Sequence, residues 1–468
     1  MNSQLCNHDV FPKVFPEGRR VTITIRPIGY NNALKPGGQY AVRIEPCGQG
    51  FPGVPQYEWR KQDAVRGLVA EKDGSLCFTA VFHGEQPQII RVYEADKVDE
   101  LKWGEHCDFL FEVTVYSLFK DLCGLYPFRG DLHMHTTRSD GCQCPAIVAA
   151  AYRQAGLDFT VISDHHRYYP SLEAIRSYMH VPIEFTIIPG EEVHMEGNDV
   201  HIVNFGSTYS VNALIRGRPH NRERGKTVSE RAIIKNPPPV IDEEEFKRQV
   251  EKLIPSLHIP DGIEKFQYAA CVWVFRQIRK GGGVGIFAHP YWTSSTWQIP
   301  EEFTRYMLEQ HPFDAFEVLG GAPATQQNRL QTALYHEMQA KGIDFPIVGS
   351  TDSHSCYNNP AGAHICSTLV FAKENTREEL VRAILAKRTV AIDTSGTPAH
   401  LVGSFRLQKY TDFLLDHFFP LHDELCFEEG RLMKDHVMGD KRAHKTIRCI
   451  SGRMREQREK YFQFSRSR

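Results

Sequence analysis

The sequence predicts an α/β fold with a parallel sheet or barrel, led by a β-sandwich-like segment and closed by a helical tail. Three observations predict it. From about residue 128, strand-like and helix-like runs alternate, the rhythm of β/α units. Potential metal ligands recur where those strands should end, which is where α/β barrels collect their chemistry. The first 120 or so residues instead carry short runs alternating polar and apolar positions, as half-buried antiparallel strands do.

In order, VTITIRPIGY, QYAVRIEP, SLCFTAVF, QIIRVYEA and FLFEVTVYSL read as the N-terminal strands, with Gly, Pro and Asp between them. RGDLHMH then reads as a strand. PAIVAAAYRQAG reads as a helix, with Pro145 in its first turn and Gly156 just past its end. DFTVIS, EFTIIPG, DVHIVNF, VGIFAHP, DAFEVLG and PIVGSTDSH continue the strand series. EEEFKRQVEKLI, IEKFQYAACVWVFRQIRKG, QNRLQTALYHEMQAKG and TREELVRAILAKR supply helices, and TVAIDT a last short strand. The expected division is a β-rich domain over 1–125, a barrel over 126–400 and a helical, basic extension over 401–468. A polar, Pro-rich insertion over 207–260 falls between two ligand segments and is a candidate lid or substrate loop.

Bulk composition narrows the function classes. The 468 residues are 41% hydrophobic and 24% charged, with a net charge of -2, so the whole chain carries no strong field for nucleic acid or membrane. Twelve cysteines are too sparse for a disulfide scaffold. MNSQLCNHDVFPK has no apolar signal region, and no apolar run approaches the roughly 20 residues that span a bilayer. A cytoplasmic protein with a small-molecule substrate is expected, with neither membrane nor nucleic acid as partner.

The chemistry sits in short segments: His133, His135 and Asp140 in GDLHMHTTRSDG, His165 in ISDHH, Glu191 in IIPGEE, His201 in DVHIVNF, His289 in IFAHPYW, and Asp352 and His354 in GSTDSH. His133 and His135 are two apart, so on a strand both imidazoles reach one ion. Asp131 is placed to hold a ring N–H, and Asp164 to position the His165 ring. Glu191 ends a very apolar strand, where a carboxylate needs a compensating charge. Glu192 competes for that role, and spacing does not choose between them. His and carboxylate ligands without thiolate suit Zn, Mn or Fe. Glu191, Asp352 and His289 are the expected catalytic residues. Arg138, His166, Arg167, Tyr168 and Tyr291 flank ligand segments and are candidates for substrate contact. Cys142 and Cys144 lack a second pair at zinc-site spacing and read as structural. The Gly281–Gly283 turn lacks the Lys and Ser/Thr of a nucleotide cradle.

HMHTTRSDG, SDHH, GEE, AHP and TDSH, in this order from about Arg129 to Thr394, resemble the PHP (polymerase and histidinol phosphatase) family. The β-rich segment joined directly to GDLHMHT resembles the CehA/McbA-type branch. The resemblance implies a distorted (β/α)7 barrel and two or three divalent ions. It places His133, His135, Glu191 and Asp352 on the first, with Glu191 bridging to a second held by His201 and His289. Asp140, His165 and His354 would hold a third. The implied activity is hydrolysis by a metal-bridging hydroxide, on a phosphoester of a small molecule or nucleotide. The alternatives are a carboxylester, carbamate or amide substrate on the same centre, or a non-catalytic metal-binding module.

Overall fold

The computed structural model describes residues 3–48, 64–98, 109–195, 197–217, 222–223, 226–227, 238–293, 295–320, 325–357 and 366–464. The chain forms two compact units. One comprises Met1–Tyr126, Lys409–His422 and Gly452–Arg468, the other Pro127–Gln408 and Asp423–Ser451.

The first unit carries β1 (His8–Phe11), β2 (Val14–Pro16), β3 (Arg20–Pro27), β4 (Gln39–Pro46), β5 (Val65–Val69), β6 (Leu76–Val81), β7 (Gln86–Glu94) and β8 (Phe111–Leu118). They form two sheets, ordered β1-β3-β6 and β2-β8-β7-β4-β5. Alternation along β3 buries Val21, Ile23 and Ile25 in one core with Val42, Ile90, Val92, Val113 and Val115 of the other sheet. Tyr410 and Phe413, on the helix Phe405–His417, pack their rings 4.9 and 5.2 Å from Tyr116. Lys13 is fully buried here, its ammonium 4.8 Å from the centre of the Tyr461 ring.

The second unit carries β9 (Tyr126–Asp131), β10 (Phe159–Val161), β11 (Thr186–Ile188), β12 (Gly190–Met195) and β13 (Asn198–Phe205). A small hairpin, β14 (Arg222–Glu223) with β15 (Lys226–Thr227), lies in the insertion. β16 (Val284–Phe287), β17 (Ala315–Leu319), β18 (Ile347–Gly349), β19 (Cys366–Ala372), β20 (Thr389–Asp393) and β21 (His400–Val402) follow. The sheet orders are β11-β10-β9-β19-β20-β21 and β12-β13-β16-β17-β18, and the strands curl into a half-barrel.

The pairing is mixed rather than all parallel, which corrects the simplest reading of the β/α rhythm. β9, β10 and β11 run parallel, as do β16, β17 and β18. β12, β13 and β16 run antiparallel. The cause is local: no helix separates β12 from β13, and the turn between them holds Gly197 at a φ of 69°. Beyond the strand ends, Met134 pairs with Ser353 and His165 with Glu192, joining the two sheets.

The expected 401–468 extension is helical, and its helices are shared between the units. Lys409–His422 and Gly452–Arg468 belong to the first. Asp423–Ser451 belongs to the second, where Glu429 sits 2.5 Å from the buried Arg153 guanidinium and Met433 and Ile447 enter the core around helix Pro145–Gln154. Within the insertion, the helix Glu243–Leu257 starts at Asp242, whose carboxylate accepts from the Glu245 N–H, and buries Phe246 against Trp273. Of the 207–260 stretch expected as a lid, positions 218–221, 224–225 and 228–237 lie outside the described residues. Among those residues, no helix is long and apolar enough to cross a membrane.

Candidate metal centre

Polar side chains converge on Glu192, which is 0% exposed. Its Oε1 lies 2.8 Å from His201 Nδ1 and 3.5 Å from both His133 Nε2 and His289 Nε2. Its Oε2 lies 2.5 Å from His165 Nδ1, 3.2 Å from His194 Nε2 and 3.6 Å from His135 Nε2. Asp352 Oδ1 stands 2.8 Å from His135 Nε2 and 3.3 Å from His133 Nε2, and its Oδ2 3.8 Å from His289 Nε2. On the more open side, Asp140 Oδ2 lies 3.4 Å from His165 Nε2 and 3.3 Å from His354 Nε2.

The backbone explains the convergence. His133 and His135 lie just past the end of β9 and share a face, while Met134 between them enters the core. His165 follows β10, His289 follows β16, and Asp352 and His354 follow β18. Glu192, His194 and His201 instead lie inside β12 and β13. His289 and Asp352 take left-handed backbone angles, φ 26° and 50°, which non-glycine residues rarely adopt and which concentrate where a structure is held for a purpose. Gly141 lets the Asp140 turn close, since a Cβ there would stand 2.6 Å from the His135 carbonyl.

Glu191, expected as the bridging and catalytic carboxylate, faces away. Strand alternation puts it on the opposite side of β12 from Glu192. There it accepts hydrogen bonds from Ser210 Oγ (2.7 Å), the Val211 N–H (2.5 Å), Asn212 Nδ2 (3.0 Å) and Asn204 Nδ2 (3.2 Å). Its charge is thus compensated by neutral donors rather than by a cation. Burial still pushes its pKa up.

Asp131 is also placed differently from expectation. It accepts from the His133 and Thr351 N–H groups at 3.1 Å and from Thr351 Oγ1 at 2.5 Å, clamping the two ligand turns together. The partner of the His133 ring is Glu317, 3.1 Å from Nδ1. Asp164 likewise does not touch the His165 ring, but binds Thr136 and Ser139 through their N–H and hydroxyl groups.

Of the expected substrate contacts, Arg138 is committed to a two-point ion pair with Glu173, both contacts at 2.8 Å. Tyr291 is 5% exposed and packs in the core, edge-on to Trp297. The Tyr168 hydroxyl donates to the Ser207 carbonyl at 2.6 Å. His166 stays beside the centre, its ring 4.7 Å from that of His194, and Arg167 is half-buried on the same turn. Cys142 and Cys144 are free thiols.

Two residues escaped the sequence reading. His194 follows Glu192 by two, a same-face spacing that reads directly once Glu192 is chosen. Glu317 is a single acid within the otherwise apolar strand AFEVL, and a fully buried carboxylate there needs a partner.

The electrostatics suit cations. Burial opposes charge on Glu192, but His165, His201, His133 and His194 outweigh it and hold its pKa well below the usual range. Burial takes His201 down to about 3, whereas at His133, His165, His289 and His354 burial is outweighed by neighbouring carboxylates that raise the pKa, so the carboxylates draw positive charge into the site. Both Glu192 oxygens, His133 Nε2, His201 Nδ1 and His289 Nε2 are buried and converge without aligned hydrogen bonds. Donor atoms within 4.8 Å of one another group as His133–His135–Glu192, Glu192–His201–His289, His135–Asp140–His165–His354, His133–His289–Glu317 and His165–Glu192–His194. Residues of this chemistry, so gathered and so poorly satisfied by one another, fit divalent ions.

No family model and no curated protein matches the chain. Among solved structures, it is similar to a two-domain protein from Bacteroides vulgatus described as containing a PHP-like metal-dependent phosphoesterase. That match has 20% identity and a TM-score of 0.37, over 57% of this chain and 65% of that one, so it spans less than two thirds of the relative's length. A protein from Bifidobacterium adolescentis described as a metal-dependent phosphoesterase matches at 21% identity and TM-score 0.30, over 48% of this chain and 87% of that one. An amidohydrolase from Chromobacterium violaceum matches at 15% identity and TM-score 0.31, over 56% and 96%. The functional reading rests on the side chains themselves.

Proposed function

We propose that this chain is a metal-dependent hydrolase, a phosphoesterase acting on a small molecule or nucleotide. Its catalytic unit is read as a distorted (β/α)7 barrel, with the pairings Met134–Ser353 and His165–Glu192 closing the ring. The carrying observation is Glu192, a buried carboxylate ringed by imidazoles, with neither oxygen satisfied by an aligned hydrogen bond.

In this reading His133, His135, Glu192 and Asp352 hold one ion, Glu192, His201 and His289 a second, and Asp140, His165 and His354 a third. Zn, Mn and Fe suit these donors. Such ions, when bound, polarise the scissile group and make water a competent nucleophile near neutral pH. The chain's own groups position and exclude. Glu317 fixes the His133 ring so that Nε2 presents its lone pair, and Asp131 locks the β9 and β18 turns together. His133 and His289 are nearly inaccessible, whereas Asp140, His165 and His354 are partly exposed, so substrate enters on their side. Three divalent ions would exceed the charge of Glu192, Asp352, Asp140 and Glu317, leaving a cationic centre that favours an anionic ester.

One observation favours the second reading, a carboxylester, carbamate or amide substrate. Arg138, a candidate phosphate fork, is paired with Glu173 at two points. Elemental analysis of wild type and His133→Ala, followed by phosphate-monoester and aryl-ester panels under Zn, Mn and Fe, tests both. Bound ions with phosphatase turnover support the first reading, and bound ions with aryl-ester turnover alone select the second. A protein that takes up no ion under any loading excludes both.

A further inference from the structure

We propose that His194 builds, with His165 and Glu192, an alternative seat for the third ion, so that this ion has two positions that exclude each other. The inference rests on reading the cluster as a metal centre. It starts from the two faces of His165: Nε2 looks at Asp140 Oδ2, 3.4 Å away, while Nδ1 looks at His194 Nε2, 2.8 Å away, and Glu192 Oε2, 2.5 Å away. His194 Nε2 is 3.2 Å from the same carboxylate oxygen. His165 Nδ1, Glu192 Oε2 and His194 Nε2 therefore form a compact two-nitrogen, one-oxygen set, distinct from the Asp140–His354 set on the other edge of the same ring.

A neutral imidazole has one lone pair and one N–H. His165 can give that lone pair through Nε2 to an ion held by Asp140 and His354, or through Nδ1 to an ion held by His194 and Glu192, but not to both at once. Metal–ligand bonds of about 2.1 Å place neighbouring donors roughly 3 Å apart, close to the separations found here. The small adjustment needed falls on His165, which must widen its 2.5 Å approach to Glu192 and whose side chain is 23% exposed, and on His194, 18% exposed. Both seats offer two imidazoles and one carboxylate, but the Asp140 side chain is 55% exposed and that of Glu192 is 0% exposed, so the first seat faces solvent and the second lies inside.

The test is zinc content per chain after equilibration and gel filtration, read on wild type, Asp140→Ala/His354→Ala, and that double variant with His194→Ala added. Asp140, His354 and His194 are all partly exposed, so these truncations spare the core, and far-ultraviolet circular dichroism checks the fold. The expected result is three ions in wild type, three in the double variant and two in the triple variant. A double variant already at two, or a triple variant still at three, overturns the alternative seat. Wild type at two ions also overturns it while leaving the first two positions standing. No zinc in wild type removes the centre itself, an outcome distinct from the others.

Discussion

Glu317 Oε1 lies 3.1 Å from His133 Nδ1, and its Oε2 accepts the backbone N–H of His289 at 3.0 Å. One buried carboxylate thus orients two proposed ligands, one through its ring and one through its main chain.

Replacing that carboxylate tests its role. Glu317→Gln keeps the shape but weakens the hold on the His133 Nδ1–H, and the expected outcome is a 10–100-fold loss of metal affinity, the usual cost of removing such an outer partner. Competition with a chromophoric chelator measures it. Affinity equal to wild type would reduce Glu317 to a packing residue.

Glu191 and Glu192 are neighbours with opposite duties, and paired substitutions separate them. Glu192→Gln is expected to strip the ions from the first two positions. Glu191→Gln is expected to keep them and lower stability by about 1–3 kcal/mol, because one of its buried donors loses an acceptor. Elemental analysis with urea unfolding reads both, and loss of metal in Glu191→Gln alone would reverse the assignment.

Lys13 supplies a pH prediction independent of metal. Burial lowers its pKa from 10.5 to about 8, Asp9 opposing only in part. Between those values the unfolded chain binds the extra proton, so Lys13 makes stability rise with pH from about 8 to 10.5 and does not change its slope below 8. Lys13→Met is expected to stabilise the protein by about 1–3 kcal/mol at pH 7, as removal of a buried charge often does. Urea melts from pH 7 to 10 should show this advantage shrinking as pH rises. A pH-independent difference would mean that the ammonium is not penalised.

Gly141→Ala addresses the open edge. The added methyl would meet the His135 carbonyl and Thr136 N–H, pushing back the turn that carries Asp140. In a His194→Ala background, which removes the alternative seat, metal titration should show weakened uptake of the third ion with the first two unaffected. Three undiminished ions would show that the turn gives way without moving Asp140.

Much of the site was legible because its ligands cluster beside strand ends, where a sequence carries both the hydrophobic run and its polar stop. His133, His135, His165, His289, Asp352 and His354 all read this way and come together. GEE did not resolve, because Glu191 and Glu192 both follow the same apolar run. The choice depends on which face of β12 the half-barrel presents inward, and that is fixed by pairing with β13 rather than by local pattern. His194 was lost with that choice of phase. The Arg138–Glu173 pair was hidden for another reason: the two residues lie 35 apart, and a long-range ion pair leaves no mark on either segment. The antiparallel β12–β13 pair was visible in principle, since no helical run separates GEEVHM from DVHIVNF.

The alternation of Glu191 and Glu192 also limits how this segment can change over time. Point substitutions on β12 act on one face at a time, and the other face is spared. A one-residue deletion or insertion upstream within the strand would exchange the faces, presenting the wrong acid to the imidazoles and turning His194 toward the core. Length variation in this protein's lineage should therefore collect in the 207–260 insertion, and the spacing from Gly190 to His194 should be inherited intact.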